Sequence, residues 1–317
     1  MVPEHTPAYW DKKMNSSLGL RRDAGHFRTI IAGYTAGIIA GAAYGTNPLF
    51  GKEVLAGGAS VPTVLFFRYL FATLFMALLM GAKRESFRIS YRQGWLLALL
   101  GLLFSSSSLF LFAAYEYIPA GLATTVVYLY PVFTALIMVC LKVKQSWQVW
   151  VSIAASLAGV FILMDPLGSA TFNLTGAVLA ALSALSYAVY LVIVNSSSQM
   201  QKLSAHTITF YALLTGTLLF LGQHLAEGGE FLRGIDSGKD WFDLFCLGLI
   251  PTMISMLALA VATKAIGPTR TAVLGVFEPI TAIAIGTLVF AEPFTFNIAL
   301  GALICIGAIV FMVVSGK

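Results

Sequence analysis

The sequence predicts an all-α polytopic membrane protein with ten transmembrane helices in a 5+5 inverted-topology repeat. Three observations predict it: an apolar composition, a one-sided distribution of Lys and Arg, and an internal similarity between the halves. The 317 residues are 58% hydrophobic and 10% charged, whereas a soluble domain carries about 25% charge. That composition leaves no room for a sizeable soluble domain.

A bilayer crossing takes roughly 20 mostly apolar residues. Ten stretches meet that length: 30–50, 61–80, 93–115, 120–141, 146–164, 174–195, 205–224, 241–264, 268–290 and 295–314. Residues 1–29 precede them as a polar tail, too hydrophilic for a signal peptide. The first span carries Gly33, Gly37, Gly41 and Gly45, a small-residue ridge that lets a neighbouring backbone approach. It ends in "YGTNP", where Asn47 precedes Pro48 and caps or gates the helix end. The second span holds Arg68, about 10 Å inside the boundary at 1.5 Å per residue. The third has "SSSS" at 105–108, tolerated in lipid because serine bonds back to a carbonyl one turn earlier. The fourth carries Tyr128, Tyr130 and a central Pro131, and the sixth Tyr187 and Tyr190. In the eighth, "LIPTMISM" places Pro251, Met253 and Met256. The ninth contains Arg270, Glu278 and Pro279. Cys140, Cys246 and Cys305 lie in three different spans, with no disulfide or metal spacing. The "NLT" at Asn173 fits a glycosylation pattern but adjoins a span.

Lys and Arg favour cytoplasmic loops. With ten spans, the termini and even-numbered loops share one side. That side holds 15 basic residues against 3 on the other (Lys52, Arg233 and Lys239). Both termini are therefore expected in the cytoplasm. The outer loop near 225–240 is acidic and reads as solvated.

"YIPAGLATTVVYLYPVFTALIMV" from Tyr117 resembles "AIGPTRTAVLGVFEPITAIAIGT" from Ala265. Each has a starting proline (Pro119, Pro268) and a central one (Pro131, Pro279). "SLAGVFILM" at 156–164 likewise matches "CIGAIVFMV" at 305–313. The chain thus divides into a tail (1–29), a first repeat (30–164) and a second repeat (165–317). Five spans are an odd number, so the second copy enters the membrane inverted, as secondary transporters do. Pro131 and Pro279 free the carbonyls of Val127 and Gly275, which are expected to face a wet cavity as hinges of broken helices.

These features resemble the EamA family of the drug/metabolite transporter superfamily. The motifs are the arginine in "FFRYLFA", the two proline-bearing helices, and "EPITAIAIGTLVFAEPFT" with its second acid, Glu292. The resemblance covers about residues 30–314. It implies a ten-helix exporter in the plasma (inner) membrane with a central cavity, whose characterised relatives export amino acids and other small metabolites. Tyr44 stands where many relatives have tryptophan.

Glu278 is the only acid deep in a span, and such a group is functional by default: proton coupling or holding a substrate amine. The competing reading is a structural carboxyl beside the proline. Tyr130 occupies the equivalent place in the other repeat, pairing a phenol with a carboxyl. The substrate-binding candidates are Tyr44, Asn47, Ser106, Ser107, Tyr128, Tyr130, Tyr187, Tyr190, Met253 and Glu278, with Glu278 also the coupling residue and Arg68 a structural charge. Arg68 is expected to snorkel, bind carbonyls, or pair with Glu278 or Glu116. No cofactor or metal is expected, and no ATP-binding GxxxxGK[ST] loop occurs. Partners are a small-molecule substrate, the bilayer and, if coupled, protons. The alternatives are a uniporter or importer of a nucleoside, drug or sugar derivative, an intramembrane enzyme, and a helical scaffold. An enzyme would need paired acids, a Ser–His pair or metal ligands, which the spans lack.

Overall fold

A computed structural model describes residues 28–114, 117, 126–163, 173–227, 232–289 and 296–315. The tail, Glu116, Pro119 and Glu292 lie outside them, so the expectations placed there are not described. Among the described residues the chain is helical with no strand. The helices are α1 (28–44), α2 (Asn47–Ala56), α3 (Val61–Ala82), α4 (Tyr91–Ala114), α5 (Tyr130–Cys140), α6 (Trp147–Leu163) and α7 (Leu174–Ser196). There follow α8 (Ser198–Gln201), α9 (Ala205–Glu227), α10 (Gly238–Gly248), α11 (Ser255–Ile266), α12 (Pro268–Leu274), α13 (Phe277–Val289) and α14 (Phe296–Ser315).

Among the described residues, five continuous helical runs are long and apolar enough to cross a bilayer: α3, α4, α7, α9 and Gly238–Ile266. Large apolar side chains lie on the outside: Leu288 is 84% exposed and Phe296 78%. Arg68, Ser105, Thr134, Ser183 and Thr252 are buried instead. An apolar exterior on this scale, around a hydroxyl-rich interior, is made for lipid.

The first span ends earlier than expected. Its helix stops at Tyr44, and Gly45–Thr46 form a turn before α2. The side chains there explain the stop: Thr46 Oγ1 donates to the Ala43 carbonyl at 2.7 Å, and Asn47 Nδ2 to the Tyr44 carbonyl at 2.8 Å. These carbonyls would otherwise be orphaned at a helix end. At the next boundary, Ser60 accepts from the Thr63 N–H and starts α3. Asn173 Oδ1 does the same for α7, accepting from Thr175 and Gly176 N–H groups. Ser237 and Asp240 form a capping box at α10.

The Gly238–Ile266 run carries a wide π-type turn at Leu249–Ile254. Pro251 has no N–H for the Leu247 carbonyl. The Thr252 hydroxyl replaces it, donating to that carbonyl at 2.7 Å. Arg68 Nε in turn donates to Thr252 Oγ1 at 2.6 Å.

Helix pairing crosses the middle of the sequence. The most extensive pairs are α6 with α14, α4 with α7, and α3 with α9. Gly159 makes the α6–α14 crossing tight: a Cβ there would lie 2.5 Å from Cys305 Sγ and 2.9 Å from the Gly301 carbonyl oxygen. Its sequence counterpart Gly307 meets nothing, so the paired motifs pack differently. His206 clasps the α3–α9 pair at one end, with Nδ1 2.9 Å from Glu85 and Nε2 3.0 Å from Lys83.

Candidate functional site

Two helix breaks face each other in the middle of the bundle. One is the turn at Tyr128–Leu129, before Pro131. The other is the Gly275–Val276 turn between α12 and α13, before Pro279. Tyr128 and Tyr130 reach from the first break to the second. The Tyr128 hydroxyl donates to the Val273 carbonyl at 3.3 Å. The Tyr130 hydroxyl lies directly over Gly275, in the space where any larger residue would place its Cβ. The Gly275 carbonyl is not left for a wet cavity, contrary to expectation. The Glu278 N–H donates to it at 2.9 Å, one residue short of the helical register that Pro279 denies.

The glycine ridge of α1 lies along the second break. Cβ atoms at Gly33, Gly37 and Gly41 would meet, in turn, Ala265 and Ile266, Leu274, and Phe277 with the Leu274 carbonyl. This close approach brings Tyr44, just beyond Gly41, beside Glu278.

A cavity of about 20 Å³ opens there, the room one water needs. Among the described residues it is lined by Tyr44, Phe104, Ser107, Ser108, Leu111, Val127, Tyr130, Ser183, Tyr187 and Glu278. Five of the sequence candidates thus share one wall: Tyr44, Ser107, Tyr130, Tyr187 and Glu278. Glu278 is half-buried and its carboxyl has no hydrogen bond or ion pair within the described residues. Phe104, Ser108, Leu111 and Ser183 were not among the candidates. Their signal was helical spacing: Phe104, Ser108 and Leu111 share one face of α4 with Ser107, and Ser183 sits one turn before Tyr187.

The remaining candidates lie elsewhere. Ser106 is not among the residues that line the cavity. Asn47 caps α1 instead of entering the cavity. Tyr190 is fully buried behind it, stacked on Tyr187 (6.4 Å) and packed on Phe104 (5.4 Å). Tyr128 backs Tyr130 at 5.7 Å. Met253 is buried in the wide turn. Pro131 and Pro279 sit just inside α5 and α13. Arg68 is 2% exposed and has no carboxylate partner among the described residues; it bonds Thr252 and lies 5.5 Å from the Tyr44 ring centroid. The expected pairing with Glu278 is therefore replaced by a hydroxyl and an aromatic face. No group of three or more potential metal-ligating side chains occurs among the described residues.

A helical bundle with lipid-facing apolar walls and an acid in a small interior cavity defines a multi-pass membrane protein of the solute-transporting kind. The chain belongs to the EamA-like transporter family, which matches residues 31–165 and again 174–314; its members are transporters and not enzymes. An uncharacterized transporter of Archaeoglobus fulgidus is 25% identical over 285 residues, 90% of this chain and 97% of its own length. The uncharacterized inner membrane transporter YedA of Escherichia coli K12 is 26% identical over 68% of this chain and 69% of its own. YdfC, an uncharacterized transporter of Bacillus subtilis, is 26% identical over 61% of this chain and 62% of its own. A solved crystal structure, 18% identical, has the same fold, with a TM-score of 0.77 over 91% of this chain and 99% of that one.

Proposed function

We propose that the chain is a secondary active transporter that exports amino acids or related small metabolites by alternating access around the Glu278 cavity. One observation carries the reading: a carboxyl with no partner among the described residues opens into a cavity walled by both halves of the chain. The first half supplies Tyr44, Ser107 and Tyr130, and the second Ser183, Tyr187 and Glu278.

In this reading the chain crosses the membrane ten times as two oppositely inserted copies. The double family match supports it, as do the α3–α9 and α6–α14 pairs, each joining helices five spans apart. Pro131 and Pro279 mark the flexible points, since neither can restore a full helical ladder across its break. Both termini lie in the cytoplasm, and the membrane is the plasma (inner) membrane. Glu278 takes a proton from one side and releases it to the other.

Counterflow of amino acids and nucleosides in proteoliposomes tests the reading. Wild-type protein is expected to exchange at least one such solute, with flux raised by an imposed pH gradient. Glu278→Gln is expected to lose the pH-driven part. Unchanged pH-driven flux in that variant would remove Glu278 from coupling. A failure of folded protein to move any solute would overturn the transport reading.

A further inference from the structure

The hydrogen bonds behind the cavity wall fix what its hydroxyls offer. Ser183 Oγ donates to the Ser107 carbonyl oxygen at 2.7 Å. A serine has one hydroxyl proton, so Ser183 has none left. The hydroxyls of Ser107 and Ser183 stand 3.1 Å apart, and Ser107 must be the donor in that contact. Its proton is then also spent. Ser108 Oγ lies 3.0 Å from the Tyr69 hydroxyl and 3.4 Å from the Phe104 carbonyl, so its one proton is engaged by one or the other. All three serines turn only lone pairs to the cavity.

Glu278, when ionised, is also an acceptor only. The remaining polar groups of the described lining are the hydroxyls of Tyr44, Tyr130 and Tyr187, which can accept as well as donate, and their rings: Tyr130 and Tyr187 meet at 4.7 Å with planes 65° apart. Aromatic faces attract cations. Among the described residues no basic side chain lines the cavity. Arg68 lies beside Tyr44 with its Nε committed to Thr252. The space itself is small, about 20 Å³, which suits a –NH₃⁺ group better than a trimethylammonium group.

We infer that this cavity is a subsite for a primary ammonium group, held by the Glu278 carboxylate, the acceptor-only Ser107–Ser183 pair and the faces of Tyr130 and Tyr187. The inference rests on the transport reading for its setting and names the head group of the solute. The carboxyl cannot hold its acidic proton and an ammonium at once: Glu278–COOH and R–NH₃⁺ give the Glu278–COO⁻···⁺H₃N–R pair and release one proton.

The test uses the full chain in detergent and in proteoliposomes, with probes that share a phenyl body: phenethylamine, its N,N,N-trimethyl derivative and 3-phenylpropionate. Calorimetric binding is expected for phenethylamine, weaker by about tenfold or more in Glu278→Gln, since charge-assisted bonds are the strong ones. Binding should release a proton, seen as a heat that varies with the buffer. Ser183→Ala frees the Ser107 proton and is expected to weaken phenethylamine severalfold. The trimethyl and propionate probes are expected to bind poorly. Equal binding of the trimethyl or anionic probe, or phenethylamine binding indifferent to Glu278→Gln, would overturn the inference. If amines bind as stated but folded protein moves no solute, the subsite stands and the transport reading falls. If solutes of other chemistry exchange while amines do not bind, the transport reading stands and the subsite falls.

Discussion

At Gly275 a single hydrogen decides the contact between the two helix breaks. The Tyr130 hydroxyl fills the volume that a side chain would need. Gly275→Ala is therefore expected to destabilise the fold by about 1–3 kcal/mol, the usual cost of overpacking. Tyr130→Phe removes the overlapping oxygen, so the double variant should recover part of the loss, because the two residues touch. Thermal unfolding in detergent of the two single variants and the double measures this. Additive losses would mean that Tyr130 and Gly275 do not share the space. Residue-level choices were only partly legible in the sequence. The midplane acid announced Glu278, and repeat alignment placed Tyr130 opposite it. Asn47 and Thr46 could equally cap a helix or face a ligand from sequence alone; only their distances to Ala43 and Tyr44 decide for capping.

Among the elements, α11 and α12 meet at Gly267, whose φ of 84° and ψ of 165° belong to glycine alone. A Cβ there would touch nothing, so the cost of substitution is purely backbone. Gly267→Ala is expected to lower stability by about 1–3 kcal/mol, read as a fall in the unfolding midpoint. The wide turn at Leu249–Ile254 supplies a second prediction. Thr252→Val removes both the donor to Leu247 and the acceptor for Arg68, leaving a buried carbonyl and a buried guanidinium short of partners. The expected loss is several kcal/mol, since each unsatisfied group costs about 1–3 kcal/mol and a charged one more. Pro251 advertised an irregularity in the sequence, but not that a hydroxyl one residue later and an arginine from another helix would repair it. Such repair depends on distant residues, which no local pattern contains.

For the molecule as a whole, composition carried the all-helical membrane class. Apolar length located α3, α4, α7, α9 and the Gly238–Ile266 run. In the stretch expected over 30–50, side-chain caps end α1 at Tyr44, close to the Asn47–Pro48 signal that the sequence offered. The proposed ten-span arrangement makes a direct prediction. In a background with Cys140, Cys246 and Cys305 replaced by Ala, single cysteines at Arg84 and at Ser237 should react with an impermeant thiol reagent from opposite faces of the membrane. Labelling from the same face would refute the arrangement.

The size of the central void has an energetic consequence for the cell. Among the described residues it measures about 20 Å³, far below the several hundred Å³ of a small-molecule pocket. In the proposed cycle its tyrosine walls must therefore part before a whole solute enters, and that opening is work each turnover has to supply.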